Sequence, residues 1–399
     1  MQRRNNGEGT IRLRPDGRYE VRISKKDAST GKFIRISRYT KTREEATELL
    51  HSLSVTMMQT PQFFKNTITL GEWLDSWLQV YMRSTLKQTT YSSYESYARL
   101  HFKPALGSVR LRDITPRMLQ ELYNYKQTVK HLSPKTIINL NLYLHKALGQ
   151  AVSEGLILSN PAAALNLSRG SKPQIEVLTR DQQAQLMSAS YQHRYGVFIR
   201  LLLSTGLRIG ELTGLRWIDI DTRAQMLHVR QTLNRVPRYD QTPNGPRTEL
   251  ICQSPKSQNS VRSIPILPQL FQELIQWQQV QLNDKMRAGS AYVPSGMVLT
   301  NELGGYMESR TFRDYYQQIL DFAGLPHFTL HALRHTFATR ALEQGMDPKT
   351  LSVLLGHYSV SFTLDTYAHV LDSQKWEAME VMKALYPAKQ TFPPAIQYR

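Results

Sequence analysis

The chain has one cysteine, Cys252, in 399 residues. A lone thiol excludes an internal disulfide framework and any zinc site built on cysteines, and it suits a reducing compartment. Long hydrophobic runs are also missing, and none approaches the roughly 20 residues that a membrane-spanning helix needs. The opening MQRRNNGEGTIRLRP is polar and basic and lacks the apolar core of a secretory signal. These absences predict a soluble cytoplasmic protein with no membrane partner. Acidic residues are scarce as well: 32 Asp and Glu stand against 50 Lys and Arg, a formal charge of +18. Such an excess points to a polyanionic partner, because each neutralised phosphate releases condensed counterions. No Walker-type glycine loop occurs, so nucleotide-driven chemistry has no phosphate cradle.

At this length two or three domains are expected, and the fold class reads as multidomain α+β. In residues 9 to 53 the alternating segments TIRLR, YEVRIS and KFIRISRY are separated by the turn signals PDG and STGK, which predicts three short antiparallel strands. TKTREEATELLHSL then starts like a capped helix, with Thr42 three residues before Glu45. Arg12, Arg14, Arg18, Arg22 and Arg35 alternate with Ile11, Leu13, Tyr19, Val21, Ile34 and Ile36. One sheet face is therefore expected on the helix, and the other carries arginines that suit a DNA groove or simply face solvent.

A polar connector, SVTMMQTPQFFKN, leads to a second unit at 67–167, read as an all-helical bundle. Leu70, Trp73, Leu74, Trp77, Leu78 and Tyr81 recur at helical spacing as a core stripe, and further helical patterns occupy 87–103, 115–128 and 134–153. Lys87, Arg99, Lys103, Arg110, Arg112, Lys130, Lys135 and Lys146 make this unit basic, as backbone phosphate contacts require. NLSRGSKPQ, residues 166 to 174, has the composition of an exposed linker. The third unit, 175–387, mixes helices such as RYGVFIRLLLSTG with strands such as MLHVRQTL and VRSIPI, a mainly helical domain with a small antiparallel sheet.

Three segments of the third unit carry chemistry. In STGLRIGELTGLRWIDID, Arg208 and Glu211 lie three apart at a helix start, a position suited to an anion, though the two also suit a plain surface ion pair. In HALRHTFATR, His331 and Arg334 share one helical face. His331 and His335 also have the H-x-x-x-H spacing of a zinc pair, but Ala332 replaces the usual glutamate and no third ligand is evident, so no metal is expected. In LLGHYSVSFTLDTYAHV, His357 precedes Tyr367. A free phenol has a pKa of about 10, so roughly one in a thousand is ionised at pH 7, and a nucleophilic tyrosine needs help from elsewhere in the chain. Tyr358 lies off this pattern and is expected to pack, and His369 is expected at the surface or in the core.

Together TGLRIGELTGLRW, LHALRHTFATRALEQG and LLGHYSVSFTLDTYAHV resemble the three signature boxes of the tyrosine recombinase, or phage integrase, family. The likeness spans most of 175–387, and the first two units are similar to the arm-binding and core-binding domains of larger integrases. It implies an arm-type DNA-binding domain at 1–55, a core-binding domain at 67–167, a catalytic domain at 175–387 and a C-terminal tail at 388–399. By the same likeness Tyr367 attacks a DNA phosphodiester to form a 3'-phosphotyrosine link, with Arg208 and Arg334 on the non-bridging oxygens. His331 and His357 would supply hydrogen bonds and proton transfer, and Glu211 would support the first arginine. Lys256, in SPKSQNSVRSIPI, would protonate the leaving 5' oxygen from a strand-turn-strand.

Arg12, Arg14, Arg18 and Arg22 would bind arm-type DNA, and Lys87, Arg99 and Lys135 core-type DNA. No cofactor is implied. The implied partners are double-stranded DNA, a homotetramer on that DNA, and DNA-bending or excision accessory proteins of a prophage or conjugative transposon. The apolar stripe Trp376, Met379, Met382 and Leu385 suits docking on a neighbour or on its own domain. The rival readings are a resolvase of the same family, a type IB topoisomerase and a DNA-binding regulator that has lost catalysis.

Overall fold

Alternation of β-branched residues with arginines produces three antiparallel strands, β1 (Thr10–Leu13), β2 (Tyr19–Lys26) and β3 (Phe33–Thr40), in the order β1-β2-β3. The computed structural model describes residues 9–26, 33–59, 67–170, 175–238, 246–255, 258–367 and 379. Arg12 stands opposite Glu20, Glu20 opposite Tyr39, Arg22 opposite Ser37 and Ser24 opposite Arg35. Since strand residues alternate between faces, Arg12, Arg22, Arg35 and Tyr39 share one face. Val21 and Ile23 occupy the other and are buried, as is Ala46 of α1 (Arg43–Gln59). Thr42 accepts the Glu45 amide at 3.2 Å while the Glu45 carboxylate takes the Thr42 amide at 3.4 Å, which closes the predicted helix start.

The helices α2 (Leu70–Trp77), α3 (Gln88–Tyr97), α4 (Lys103–Leu106), α5 (Pro116–Thr128) and α6 (Pro134–Ser153) follow. Thr69 and Glu72 form a capping box at the start of α2, and Thr115 and Ser133 cap α5 and α6 ahead of a first-turn proline. Two π-helical turns, Leu78–Met82 and Ala98–Phe102, extend α2 and α3, so the pattern over 87–103 is interrupted rather than one straight helix. Leu70, Trp73, Leu74 and Trp77 pack with Leu140, Tyr143, Leu144 and Leu148, and Trp73 donates its indole N–H to the Ala147 carbonyl at 3.0 Å. The tryptophans are thus core, as their spacing predicts. Lys87, Arg99 and Lys135 are exposed, and Arg99 pairs with Glu95 at 2.9 Å.

The chain divides into two units, Met1–Lys172 and Pro173–Arg399, and the elements above belong to the first. The second contains α7 (Arg180–Ser190), α8 (Gly196–Thr205), α9 (Ile209–Thr213), β4 (Ile220–Asp221), β5 (Met226–Val229), β6 (Thr232–Pro237), β7 (Thr248–Gln253) and β8 (Arg262–Pro265). It continues with α10 (Pro268–Ala288), α11 (Ser309–Phe322), α12 (Leu330–Glu343) and α13 (Pro348–Leu355), and 360–367 are helical.

MLHVRQTL, expected as one strand, is two. β5 joins β4 and β8 in a three-stranded sheet, whereas β6 pairs with β7 in a separate ribbon. The almost wholly buried α8 lies at the centre of the core, with Phe198, Ile199, Leu201 and Leu202 packed against Leu212, Leu227, Trp277, Phe312 and Leu333. A second cluster joins Ala338, Leu342, Leu351, Leu355 and Tyr367. The apolar stripe beyond residue 367 and the tail at 388–399 lie outside the described residues, apart from an exposed Met379.

Candidate active site

The site is built where helices end. Helix α8 stops at Gly206, whose left-handed φ of 62° suits glycine; a Cβ there would sit 2.5 Å from Phe337 Cδ1 and 2.8 Å from Leu355 Cδ2. The tight stop lets the next residues turn back into α9. Arg208 stands at the N-cap of that helix and Glu211 in its first turn. The Glu211 carboxylate accepts the Arg208 amide at 2.9 Å and Arg208 Nη1 at 2.8 Å. The sequence alternatives thereby resolve: this is no surface pair, because Glu211 is buried.

Glu211 has a second partner. Arg262, on β8, donates Nη1 and Nη2 to its two oxygens at 3.0 and 2.8 Å. Burial alone would raise the Glu211 carboxyl, but Arg262 and Arg208 together outweigh it and hold the group below the ordinary carboxylate range.

Arg334 projects from α12 and is buried, with Nη1 donating to the Gly206 carbonyl at 2.6 Å and Nη2 to the Leu355 carbonyl at 2.7 Å. It ties the ends of α8 and α13 together. Burial, and then the charge of Arg208, depress its guanidinium to about 9. His331, on the same helix, is lowered by burial and by the charges of Arg334 and Arg208.

His357 follows Gly356, the left-handed residue that ends α13, and its Nδ1 lies 2.7 Å from the Thr363 hydroxyl. Burial, then Arg334, Arg208 and Arg262, push its imidazole down to about 3. Arg208, Glu211, His331, Arg334 and His357 therefore converge, although they come from three separated stretches of the chain.

Tyr367 is brought to the edge of this group. Its ring is 1% exposed in the cluster with Leu351 and Leu355, and burial pushes its phenol up to about 12, with Arg334 pulling it down. Its hydroxyl lies 2.8 Å from Nδ1 of His335, not of His357. Burial and the neighbouring His331, whose ring stands edge-on at 4.5 Å, lower His335 to about 4. With His335 neutral, a phenol donating to an unprotonated Nδ1 leaves both groups uncharged.

Two residues that contact the site are not singled out by the sequence motifs. Spacing alone places His335 only as half of a possible zinc pair; among the described residues no three His, Cys, Asp or Glu side chains are grouped to hold a metal ion. Arg262 left a legible sign, since it stands two residues before Ile264 and four before Ile266 in VRSIPI and so shares their inward register. Tyr358, expected to pack, is instead 76% exposed, because it lies in the turn after Gly356. Lys256 and His369 lie outside the described residues. The strands that flank position 256, β7 and β8, pair with different strands, so the segment between them links two sheets. Arg12, Arg14, Arg18 and Arg22 are exposed in the first unit; Arg18 pairs with Asp16 at 2.9 Å, and the Arg14 guanidinium lies 5.3 Å from the Tyr39 ring centroid.

The depressed histidines predict acid sensitivity. His335 and His357 stay neutral in the folded chain well below pH 6.5, where the same groups take up protons once unfolded, so stability falls as pH drops from about 7 towards 4. Glu211, a depressed carboxylate, loses its contribution in the same direction at lower pH still. Thermal unfolding of the full chain should show the melting temperature falling between pH 7 and 5, and less steeply with His357→Gln. A flat or rising profile would refute the assignment of buried neutral imidazoles.

Comparison with known proteins bears on the same residues. Positions 176–374 match the phage integrase family, and 69–127 match the phage integrase N-terminal SAM-like domain. The chain is 32% identical over 378 residues to a tyrosine recombinase XerC-like protein of Caldanaerobacter subterraneus subsp. tengcongensis, covering 92% of this chain and 96% of that one. It is 28% identical over 310 residues to the transposase from transposon Tn916 of Enterococcus faecalis, covering 72% and 70%. Among solved structures, the Tn1549 transposon integrase in complex with transposon right end DNA superposes with a TM-score of 0.64 at 27% identity, covering 80% of this chain and 99% of that chain.

Proposed function

Because the chain belongs to the phage integrase family of tyrosine recombinases, we propose that it is the integrase of a mobile element, cutting and rejoining DNA at attachment sites. The observation that carries this reading is geometric: Arg334 donates to the Gly206 and Leu355 carbonyls and Arg208 to the Gly356 carbonyl, which brings both arginines beside His357, while Tyr367 is hydrogen-bonded to His335 of the helix that bears Arg334 and His331. Tyr367 Oη passes its proton to Nδ1 of His335 as it attacks the phosphorus, forming the phosphotyrosine bond as the P–O5' bond breaks. Lys256 gives a proton to the leaving 5' oxygen. Arg208, with 38% of its side chain exposed, meets the phosphate, while the buried Arg334 adds charge from behind. The phosphotyrosine conserves the energy of the broken bond, so religation to a second 5' hydroxyl needs no nucleotide.

The proposed organisation assigns 1–55 to arm-type DNA through the arginine face of the sheet, 67–167 to core-type DNA and 175–387 to catalysis, with a tail at 388–399. Exchange of strands between two duplexes requires four active sites, hence a homotetramer on DNA. Accessory DNA-bending or excision proteins fit an integrase with separate arm sites.

The test is covalent trapping on a nicked core-site duplex taken from the junctions of the encoding element. A slow-migrating protein–DNA adduct on a denaturing gel is expected; DNA binding without any adduct would favour the regulator. A second reading is a resolvase of the same family. Strand exchange that proceeds at full rate without flanking arm sequences would select it.

Cleavage is expected to persist in excess EDTA. With Arg262 paired to the Glu211 carboxylate, the charges of Arg208 and Arg334 are left to meet the phosphate without a divalent ion. A strict requirement for a divalent ion would sink this mechanism.

A further inference from the structure

Arg262 is 7% exposed, and its N–H groups are committed within the fold. Nη1 and Nη2 grip Glu211, Nε donates to the Leu354 carbonyl at 2.5 Å, and Nη1 also reaches the Ser260 carbonyl at 3.1 Å. A guanidinium has five N–H donors in a rigid fork, and four bonds of this kind leave it little capacity for DNA. Its three targets belong to α9, to the segment leading into β8 and to the end of α13, just before His357. The fit is close: a Cβ at Gly356 would come within 3.1 Å of Arg262 Cδ and Nη1. Asn259 makes a parallel tie, donating Nδ2 to the Tyr358 carbonyl at 3.3 Å.

We propose that Arg262 is a positioning residue of the strand-cleavage site: by clamping both oxygens of Glu211 it fixes the carboxylate that holds Arg208, without touching DNA itself. The inference rests on the recombinase reading above. Arg208 reaches both Glu211 oxygens, but through a half-exposed side chain and an amide of the same helix turn; Arg262 adds a second, buried pair of donors to the same two oxygens from a different element. With Arg262 on one side, the carboxylate plane is set, and Arg208 Nη1 and the Arg208 amide meet oxygens already in place. Anchoring Arg262 to Leu354 registers that carboxylate against the segment bearing His357. Lysine cannot substitute, because a single ammonium lacks the two-pronged geometry.

The experiment is single-turnover adduct formation on the nicked core-site duplex by the full chain, with DNA affinity and melting temperature measured alongside. Arg262→Lys keeps the charge, so the protein is expected to fold and bind DNA within about two-fold of wild type, while cleavage slows by about 10- to 100-fold, by analogy with the loss when a partner that orients a metal ligand is mutated. Unchanged cleavage per folded molecule would overturn the proposal.

Should Arg262→Lys fail to fold, Glu211→Gln and the double variant Glu211→Gln with Arg262→Gln complete the test, because an amide pair leaves no buried charge unpaired. If Arg262 acts through Glu211, adding Arg262→Gln to Glu211→Gln costs less than about three-fold more, whereas independent, multiplying losses overturn it. Wild-type adduct formation separates the two readings: no wild-type adduct refutes the recombinase assignment, while a wild-type adduct with insensitive variants refutes only the role of Arg262.

Discussion

Tyr367→Phe is expected to bind core-site DNA as tightly as wild type and to form no covalent adduct. The ring stays in its cluster with Leu351 and Leu355, so the substitution removes one oxygen and one hydrogen bond to His335, a stability change of about 1 kcal/mol. The chemistry loses everything, because no other atom at that position can form the phosphotyrosine. With a phenol near 12, full ionisation at pH 7 would cost about 7 kcal/mol, so attack is expected to proceed with proton loss in the transition state rather than from a standing phenolate. The measurement is the denaturing gel on nicked duplex with a parallel binding titration. Adduct surviving in Tyr367→Phe would move the nucleophile elsewhere, with the exposed Tyr358 the first residue to examine.

Arg334→Met should be the most damaging change that leaves the nucleophile intact. It deletes a buried charge behind the phosphate, and losing preorganised electrostatic stabilisation of this kind costs about 10²- to 10³-fold in rate. It also strips the donors from the Gly206 and Leu355 carbonyls. Each unpaired buried carbonyl costs about 1–3 kcal/mol, partly offset because a guanidinium crowded by Arg208 and Arg262 is itself costly to bury. A net destabilisation of about 1–3 kcal/mol should appear as a lower melting temperature. Arg334→Lys, which keeps the charge but spans one carbonyl at a time, should fall between. Near-normal cleavage by folded Arg334→Met would remove this arginine from the mechanism.

The convergence of the site explains why short segments spoke so clearly. Arg208 with Glu211, and His331 with Arg334, are local pairs whose spacing on a helix already brings them onto one face. His335 also stood at helical spacing from His331, but its partner, Tyr367, comes from a segment 32 residues on, and spacing within one helix carries no record of that contact. Arg262 joins Glu211 across 51 residues of chain, through a strand whose inward register was visible but whose target was not. The break of MLHVRQTL into strands of two different sheets was equally hidden, since both halves alternate alike.

By itself the sequence determined the polyanionic partner, the arginine-faced sheet, the tryptophan core of the bundle and the residue types of the site. All of these depend on composition or on periods of two and 3.6 residues, which are local properties of a chain. Only the tertiary structure decided which imidazole holds the tyrosine, what sits behind Glu211, and that Arg334 spends two of its N–H groups on the ends of α8 and α13. Those choices are made by burial: once a charge or a phenol leaves water it must take whichever partner the packing of distant elements brings within about 3 Å, and no stretch of sequence states that alone.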